Sequence, residues 1–367
     1  MAEAVTGGGA GETRSATPVA DGGPLAPIIP TFKGHPGWEF TDTSALDVGA
    51  YELASLEPVL GSDVAGALWD LSAAELPAGV ELTIGNGETV ISVGRGVTVE
   101  QPIALSAAVA DGKLANTRTR IVLEEGAHAE VWEQYTSVGD CLLNLATEIT
   151  IGDNASLRYV CGQNLSEQAW IFGAQHATVG RDARLDWVAL GFGSRSGHVL
   201  MQTRLAGEGA EARVTGAYAT HGSQHIDFDT TQEHAAPNTT SDLAFRGVLQ
   251  DRSSAVWKGN IIVDPGAQKT DAFQDSRNLL ISKRAHADSI PGLEIQANDV
   301  RCTHAAAVAQ VDPEQLFYLR SHGMPEAEAK QLVIEGFLSA LVERFEEGQV
   351  REVLAAALER RLELILA

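Results

Sequence analysis

Cys302 and His304 are the two residues of this sequence whose types and spacing are best suited to chemistry. They lie in the run Ala297-Asn-Asp-Val-Arg-Cys-Thr-His-Ala-Ala-Ala307. If this run is a β-strand, residues two positions apart share a face, so the thiol and the imidazole are predicted to point the same way. Thiolate and imidazole are ligands that suit iron, zinc and copper. A nearby imidazolium would also lower the pKa of the thiol.

Two ligands are too few to hold a metal ion by themselves. A metal site at Cys302 and His304 would therefore be transient or would need further ligands from a partner chain. The residues leave a second explanation open, in which a buried cysteine and a hydrogen-bonded histidine lie at the edge of a sheet. Sequence spacing alone does not separate the two.

A second set of possible metal ligands lies near an expected insertion at residues 221–241. Three histidines occur there with three acidic neighbours: His221, His225, His234, Asp227, Asp229 and Glu233. The stretch is polar and its spacing is irregular, so a solvated loop is preferred to a metal site. No GxxxxGK[ST] phosphate loop, nucleophile elbow or HExxH motif occurs anywhere in the sequence, and none of those chemistries is predicted.

Four copies of a short pattern indicate the architecture that would position these residues. Each copy has an apolar residue, a turn of Gly, Asp or Asn, a small residue and then alternating apolar positions, as in Ile151-Gly-Asp-Asn-Ala-Ser-Leu-Arg-Tyr159. The small residues are Ala127, Ala155, Ala183 and Ala210, which gives a period of 28, 28 and 27 residues. A period of this length with β-type alternation predicts a mostly-β solenoid, a parallel β-helix. A sandwich or jelly roll is the alternative.

Changes in composition divide the chain into four predicted segments. Residues 1–24 are rich in Gly, Ala, Ser and Thr and are predicted to be a disordered tail. Residues 25–76 are predicted to be an N-terminal helical region, with a helix up to about residue 74. Residues 77–311 form the β-helix core, and 312–367 form a C-terminal helical domain that begins at the N-cap Asp312. That helical unit is expected to cap one end of the solenoid or to dock a partner.

Composition and charge limit the classes of partner. The net charge of −23 argues against nucleic acid and against anionic lipid, since both need a basic surface. No apolar run is long enough for a membrane span and no secretory signal is visible, so a cytoplasmic protein is expected. Three cysteines without a CxxC motif fit a reducing compartment.

Several motifs between residues 246 and 345 carry a family resemblance. They are Arg246-Gly-Val, Gly259-Asn-Ile-Ile, Gln268-Lys-Thr-Asp-Ala-Phe-Gln, Arg277-Asn-Leu-Leu-Ile-Ser, Pro291-Gly-Leu-Glu-Ile-Gln-Ala-Asn-Asp-Val, Cys302-Thr-His-Ala and Gln315-Leu-Phe-Tyr-Leu-Arg-Ser. In these motifs the chain resembles the SufD family, a scaffold component of the SUF iron–sulfur cluster assembly system. The segment from His35 to Asp42 is similar to the aromatic N-terminal segment of that family.

The resemblance implies a right-handed parallel β-helix flanked by small N-terminal and C-terminal α-helical regions, and a non-catalytic scaffold. It implies pairing with a SufB homologue through the β-helices and docking of the SufC ATPase through the C-terminal helices. His304, together with Cys302, would lie at the SufB interface and hold iron or a nascent cluster transiently, with further ligands from the partner. Phe317, Tyr318 and Arg320 are the candidates for ATPase docking, although packing within the helical unit explains the two aromatics equally well.

Two other functions remain as alternatives. SufB-type chains resemble this one in the same core, but they are usually longer and tend to carry Glu-His-Glu where this sequence has Cys302-Thr-His304-Ala. The difference favours SufD over a SufB-type cluster carrier. A polysaccharide-active β-helix enzyme is the other alternative, although no recurring pair of carboxylates on one face is visible. The resemblance leaves open the stoichiometry, a homodimer in isolation and the participation of a flavin.

Overall fold

The computed structural model describes residues 38–73 and 75–366. Three α-helices follow nineteen strands within those residues. The strands are β1 (Glu52–Ser55), β2 (Val59–Leu60), β3 (Val80–Gly85), β4 (Glu88–Val93), β5 (Ile103–Val109), β6 (Lys113–Leu123), β7 (His128–Ser137), β8 (Leu142–Ile151), β9 (Ser156–Asn164), β10 (Trp170–Val179), β11 (Arg184–Gly191), β12 (Ser196–Leu205), β13 (Glu211–Thr220), β14 (His225–His234), β15 (Thr240–Leu249), β16 (Ser254–Val263), β17 (Asp271–Leu280), β18 (His286–Ile295) and β19 (Arg301–Gln310). The helices are α1 (Pro313–Ser321), α2 (Glu326–Val342) and α3 (Gln349–Leu366).

The strands alternate between two sheets as the chain coils. Sheet A contains β1, β3 and the even strands from β4 to β18, and sheet B contains β2 and the odd strands from β5 to β19. Neighbouring strands from β4 onward are parallel and in register, as Trp187 lies between Tyr159 and Val214. This is a β-solenoid of about eight turns, so the predicted β-helix is confirmed. The sandwich alternative is wrong, because antiparallel pairing in the described chain is confined to β2–β5 and β3–β4.

Small buried residues occupy one corner of each turn, as the repeat predicted. Ala127, Ala155, Ala183 and Ala210 are all fully buried. The row continues with Thr239 and Thr270, since the amides of residues 240 and 271 donate to the carbonyls of Ala210 and Thr239. The expected insertion at 221–241 is therefore wrong. Most of these residues form β14 and the start of β15, in register with their neighbours.

The N-terminal segment crosses the outer face of sheet A. Trp38 packs on Phe172 and His198, with ring centroids 5.2 and 4.5 Å apart, and the Thr41 hydroxyl donates to Asp227 at 2.7 Å. The described part contains one 3-10 turn, Val48–Ala50, and the short strands β1 and β2, joined by turns and irregular chain, with no α-helix. This corrects the predicted helix up to residue 74, because burial on the sheet outweighs the local helix signals. The predicted disordered tail at 1–24 lies outside the described residues.

The C-terminal helices lie along the side of the solenoid. Apolar side chains of α2 and α3, such as Leu338 and Leu358, pack in one cluster with Val188 and Ala217 of sheet B. The helices therefore cover an outer face of sheet B and do not cap an end. Within the described ranges, no helix is long and apolar enough to cross a membrane.

Arg361 is the charged residue that interrupts the apolar face of α3. It is buried, and its guanidinium donates to the Ala219 carbonyl and to the Gln224 side chain, both at 3.0 Å. Burial lowers the pKa of Arg361 to about 10. The cation therefore anchors α3 to β13 and to the turn that follows.

Replacing Arg361 by alanine is expected to lower the free energy of unfolding by about 2–3 kcal/mol. The change removes two charged hydrogen bonds and leaves a cavity under α3. Urea denaturation measures the loss. The matched control is Glu363→Ala, an exposed position on the same helix, and an equal loss in both variants would contradict the anchoring role.

Candidate functional site

The last turn of the solenoid is open. Within the described chain β18 pairs only with β16, and β19 pairs only with β17. Each of the two strands therefore leaves one row of backbone N–H and C=O groups unpaired. Interior-facing side chains are also uncovered here, because Leu293, Ile295 and Val308 are 38 to 42% exposed. We call this surface, formed by β18 and β19, the open end.

Cys302 and His304 lie on β19 at the open end. Cys302 stacks on Ala272 and packs against the apolar cluster inside the last turns. His304 stacks on Gln274, two residues along the same face. His304 is exposed and has no hydrogen bond or ion pair with any residue that the structure describes. Its imidazole is thus available to a partner at the open end.

The Cys302 thiol differs from the expectation of an activated thiolate. Burial, followed by the negative charge of Asp271, raises its pKa. Asp271 forms an ion pair with Arg301 at 3.3 Å. The thiol is therefore protonated at neutral pH in this chain, and it becomes a strong ligand only when a metal displaces the proton.

The alternative metal site in β14 is not formed. Among the residues described, no group of three or more His, Cys, Asp and Glu side chains could hold a metal ion. His221 pairs with Glu167 at 2.6 Å, and a nitrogen of His225 lies 2.8 Å from the Ser254 hydroxyl. His234 is fully buried between two hydroxyls. These histidines contact neighbouring side chains of the solenoid and do not form the solvated loop that the sequence indicated.

The free energy of unfolding is expected to decrease as the pH is lowered below 6.5, because of His234. Burial lowers its pKa from 6.5 to about 4. Above pH 6.5 the ring is neutral in both states, but below it the unfolded chain binds a proton that the folded chain does not. The loss should reach about 3 kcal/mol near pH 4. Urea unfolding of the wild type and His234→Gln from pH 7 to 4.5 measures this loss. The free energy of unfolding should depend less steeply on pH in the variant. His286→Gln, at an exposed position, is the control, and an equal slope in all three proteins would contradict the assignment.

The three candidate docking residues lie on α1, which has no buried residue. Phe317 and Tyr318 are 74 and 63% exposed. Arg320 pairs with Glu326 at 3.4 Å across the groove between α1 and α2. Phe317 is therefore not packed within the helical unit, whereas Tyr318 packs on His322, with ring centroids 4.5 Å apart, and keeps most of its ring exposed. Only residues 311 and 312 separate β19 from α1, so this surface adjoins the open end.

Sequence reasoning missed the uncovered interior of the last turn. Leu293, Ile295 and Val308 alternate as any core-facing strand residues do, and their exposure follows from the position of the last turn. The available signal was the end of the repeat itself, since a solenoid core stays open where no further turn covers it.

Comparisons with known proteins give the family. The family model for the SUF system FeS cluster assembly, SufBD core domain, matches residues 106–337. An iron–sulfur cluster assembly SufBD family protein of Mycobacterium bovis is 33% identical over 288 residues, 76% of this chain and 72% of that protein. The iron–sulfur cluster assembly protein SufD of Bacillus subtilis is 32% identical, over 76% of this chain and 64% of its own length. SufD of Escherichia coli is 29% identical, over 76% of this chain and 68% of its own length. The chain therefore belongs to the SufBD family.

Proposed function

We propose that this chain is a SufD-type, non-catalytic scaffold subunit of iron–sulfur cluster assembly in the cytoplasm. The observation that carries the proposal is the open end, where unpaired strand edges and uncovered core flank His304. Family membership supports it, as do the relatives that are named SufD. The partner at the open end is a second β-solenoid, a SufB homologue.

Strand addition explains how such a partner would bind. Edge strands of a second solenoid would satisfy the free backbone groups of β18 and β19. They would also cover Leu293, Ile295 and Val308. Because each is already more than half buried, covering the rest of each side chain contributes roughly 0.6–1.2 kcal/mol. The alanines at 305–307 let a partner chain approach closely. The two solenoids would then share one continuous core.

Iron or a nascent cluster is the cargo of this interface. His304 offers a ring nitrogen and Cys302 a thiol, while the partner supplies the remaining ligands. Since two ligands are too few for stable binding, the isolated chain should bind little iron. The raised pKa of Cys302 makes His304 the first ligand and Cys302 an accessory one.

The α1 surface is proposed to dock the SufC ATPase. Exposed aromatics beside an arginine are the residue types that dominate protein interfaces. Because the sequence has no phosphate loop, nucleotide hydrolysis belongs to the docked protein.

Replacing both Phe317 and Tyr318 by alanine is expected to weaken ATPase binding at least tenfold, since each aromatic buried at the interface contributes about 1–2 kcal/mol. Titration calorimetry with the purified ATPase measures it. Val138→Ala, an exposed apolar position just after β7 and outside the C-terminal helices, is the control. Unchanged affinity in the double variant would place the docking surface elsewhere.

Co-purification tests the function as a whole. The tagged chain should recover an ATPase and a homologous scaffold from its own cells, and the complex should assemble a cluster when iron and sulfide are supplied. Recovery of the chain alone would contradict the scaffold role. A visible cluster formed on this chain without a homologue would favour the SufB-type alternative.

A further inference from the structure

Small residues interrupt the packed interior in the middle of the solenoid. The strands β10, β11 and β12 place Gly173, Gly191 and Gly197 on the interior face, where the neighbouring turns carry larger residues in the same rows. Ala189 of β11 is a fourth small residue on this face. Part of the core volume in these turns is therefore left to side chains of the neighbouring strands.

Side chains from the flanking strands fill most of that volume but not all of it. A Cβ at Gly197 would clash with Ile171 Cγ2, and one at Gly191 would lie 3.0 Å from Ile226 Cδ1, so the two isoleucines already occupy the glycine positions. A cavity of about 40 Å³ remains between the strands. That volume exceeds the roughly 10–15 Å³ which a molecule of the size of water needs. The wall consists mainly of aliphatic and aromatic side chains together with one thiol: Leu145, Ile171, Val199, Ile226, Phe228 and Cys161.

The polar groups at the cavity wall are poorly suited to hold water. The Gln163 oxygen accepts from two backbone amides, at 3.1 and 3.2 Å, and the Tyr135 hydroxyl donates to Glu133 at 2.8 Å. The Gln175 nitrogen makes two long contacts, at 3.4 Å to a threonine hydroxyl and 3.9 Å to Cys161 Sγ. Burial raises the pKa of Cys161 to about 12, so its thiol is uncharged. Because a buried water is typically held by about three polar groups, the cavity is expected to be dry.

We propose that this cavity is a binding site for a small, uncharged, apolar molecule of the size of a dissolved gas. Such a molecule leaves no hydrogen bond unmade when it enters, and it gains dispersion contacts with every side of the wall. Dry apolar cavities in proteins bind ligands of this class. The protonated Cys161 thiol adds a polarizable contact without a charge. The cavity lies between β8 and β14, whereas β18 and β19 form the open end, so binding here is separate from partner binding and from His304.

Xenon is the probe that tests the site on the intact chain. Methyl-labelled protein is titrated with xenon under pressure and followed by carbon–proton NMR. We expect saturable shifts confined to methyl groups of the wall, such as those of Val199 and Ile226. Ala189→Val fills the cavity from the wall and should lower the xenon affinity about tenfold or more, because a close-packed core has no room for the atom. Ala287→Val, at an interior alanine of β18, is the matched control and should bind xenon as the wild type does.

Several results would overturn the proposal. They are the absence of a saturable shift in the wild type, shifts spread over the whole chain, and equal xenon affinity in the wild type and Ala189→Val. Loss of binding in Ala287→Val as well would also overturn it, because the effect would then not be local to the cavity. If Ala189→Val does not fold, as judged by circular dichroism, Val199→Ile adds one methyl group from another strand of the wall. That variant should weaken binding in the same way, and wild-type affinity in it would contradict the site.

Discussion

Replacing Val308 by aspartate is expected to abolish association of this chain with its partner scaffold while leaving its own fold intact. Val308 faces the solenoid interior in the last turn and is still 42% exposed, so a carboxylate there stays hydrated in the free chain. In the paired complex the same carboxylate would be buried without a partner, which costs about 3–5 kcal/mol. The dissociation constant should therefore rise roughly 100-fold or more.

Sedimentation or calorimetry with the purified SufB homologue measures this change, and thermal denaturation of the single chain verifies the fold. Leu364→Asp is the matched control, because Leu364 is an exposed apolar residue on α3, a helix that packs on β13 away from the open end. Equal binding by Val308→Asp and the wild type would mean that the partner does not cover the last turn. Loss of binding in both variants would point to a general effect of added charge.

The architecture was predictable because one corner of each turn accepts only a small side chain. That requirement places Ala127, Ala155, Ala183 and Ala210 at regular spacing in the sequence. The pattern was lost where Thr239 and Thr270 take over the corner. Their hydroxyls donate to the carbonyls of Ala236 and Ala267, so threonine fits the same position with its polar group satisfied. A search for small apolar residues misses the two threonines, and the sequence around them then looks like an insertion.

The candidate site was predictable only as far as local geometry extends. The shared face of Cys302 and His304 follows from strand alternation, and the structure stacks both inside the last turn. The environment of the thiol depends on Asp271, which is one solenoid turn away in sequence, so the raised pKa of Cys302 was not predictable from its neighbours. The position of Gln274 under His304 was also not predictable from its neighbours in sequence, because the register of β17 and β19 sets it.

Replacing His304 by alanine is expected to lower cluster assembly by the purified complex about 100-fold or more, with the complex itself intact. Loss of an outer hydrogen-bond partner of a metal ligand already costs about 10- to 100-fold, and His304 is proposed to be a ligand itself. Its exposure means that the substitution leaves no cavity. Visible absorbance during reconstitution with iron and sulfide measures assembly, and gel filtration measures the complex. His286→Ala, an exposed histidine on β18, is the control.

Cys302→Ser is expected to have a smaller effect than His304→Ala. Burial and Asp271 keep the thiol protonated at neutral pH, so the cysteine can join only after iron is already held and the proton is displaced. A neutral imidazole needs no such step, because one of its nitrogens carries a free lone pair. If the order of the two effects is reversed, the thiol is the entering ligand, and His304 acts as the base that removes its proton. If both variants assemble clusters as the wild type does, this face of β19 takes no part in the chemistry and serves only in binding.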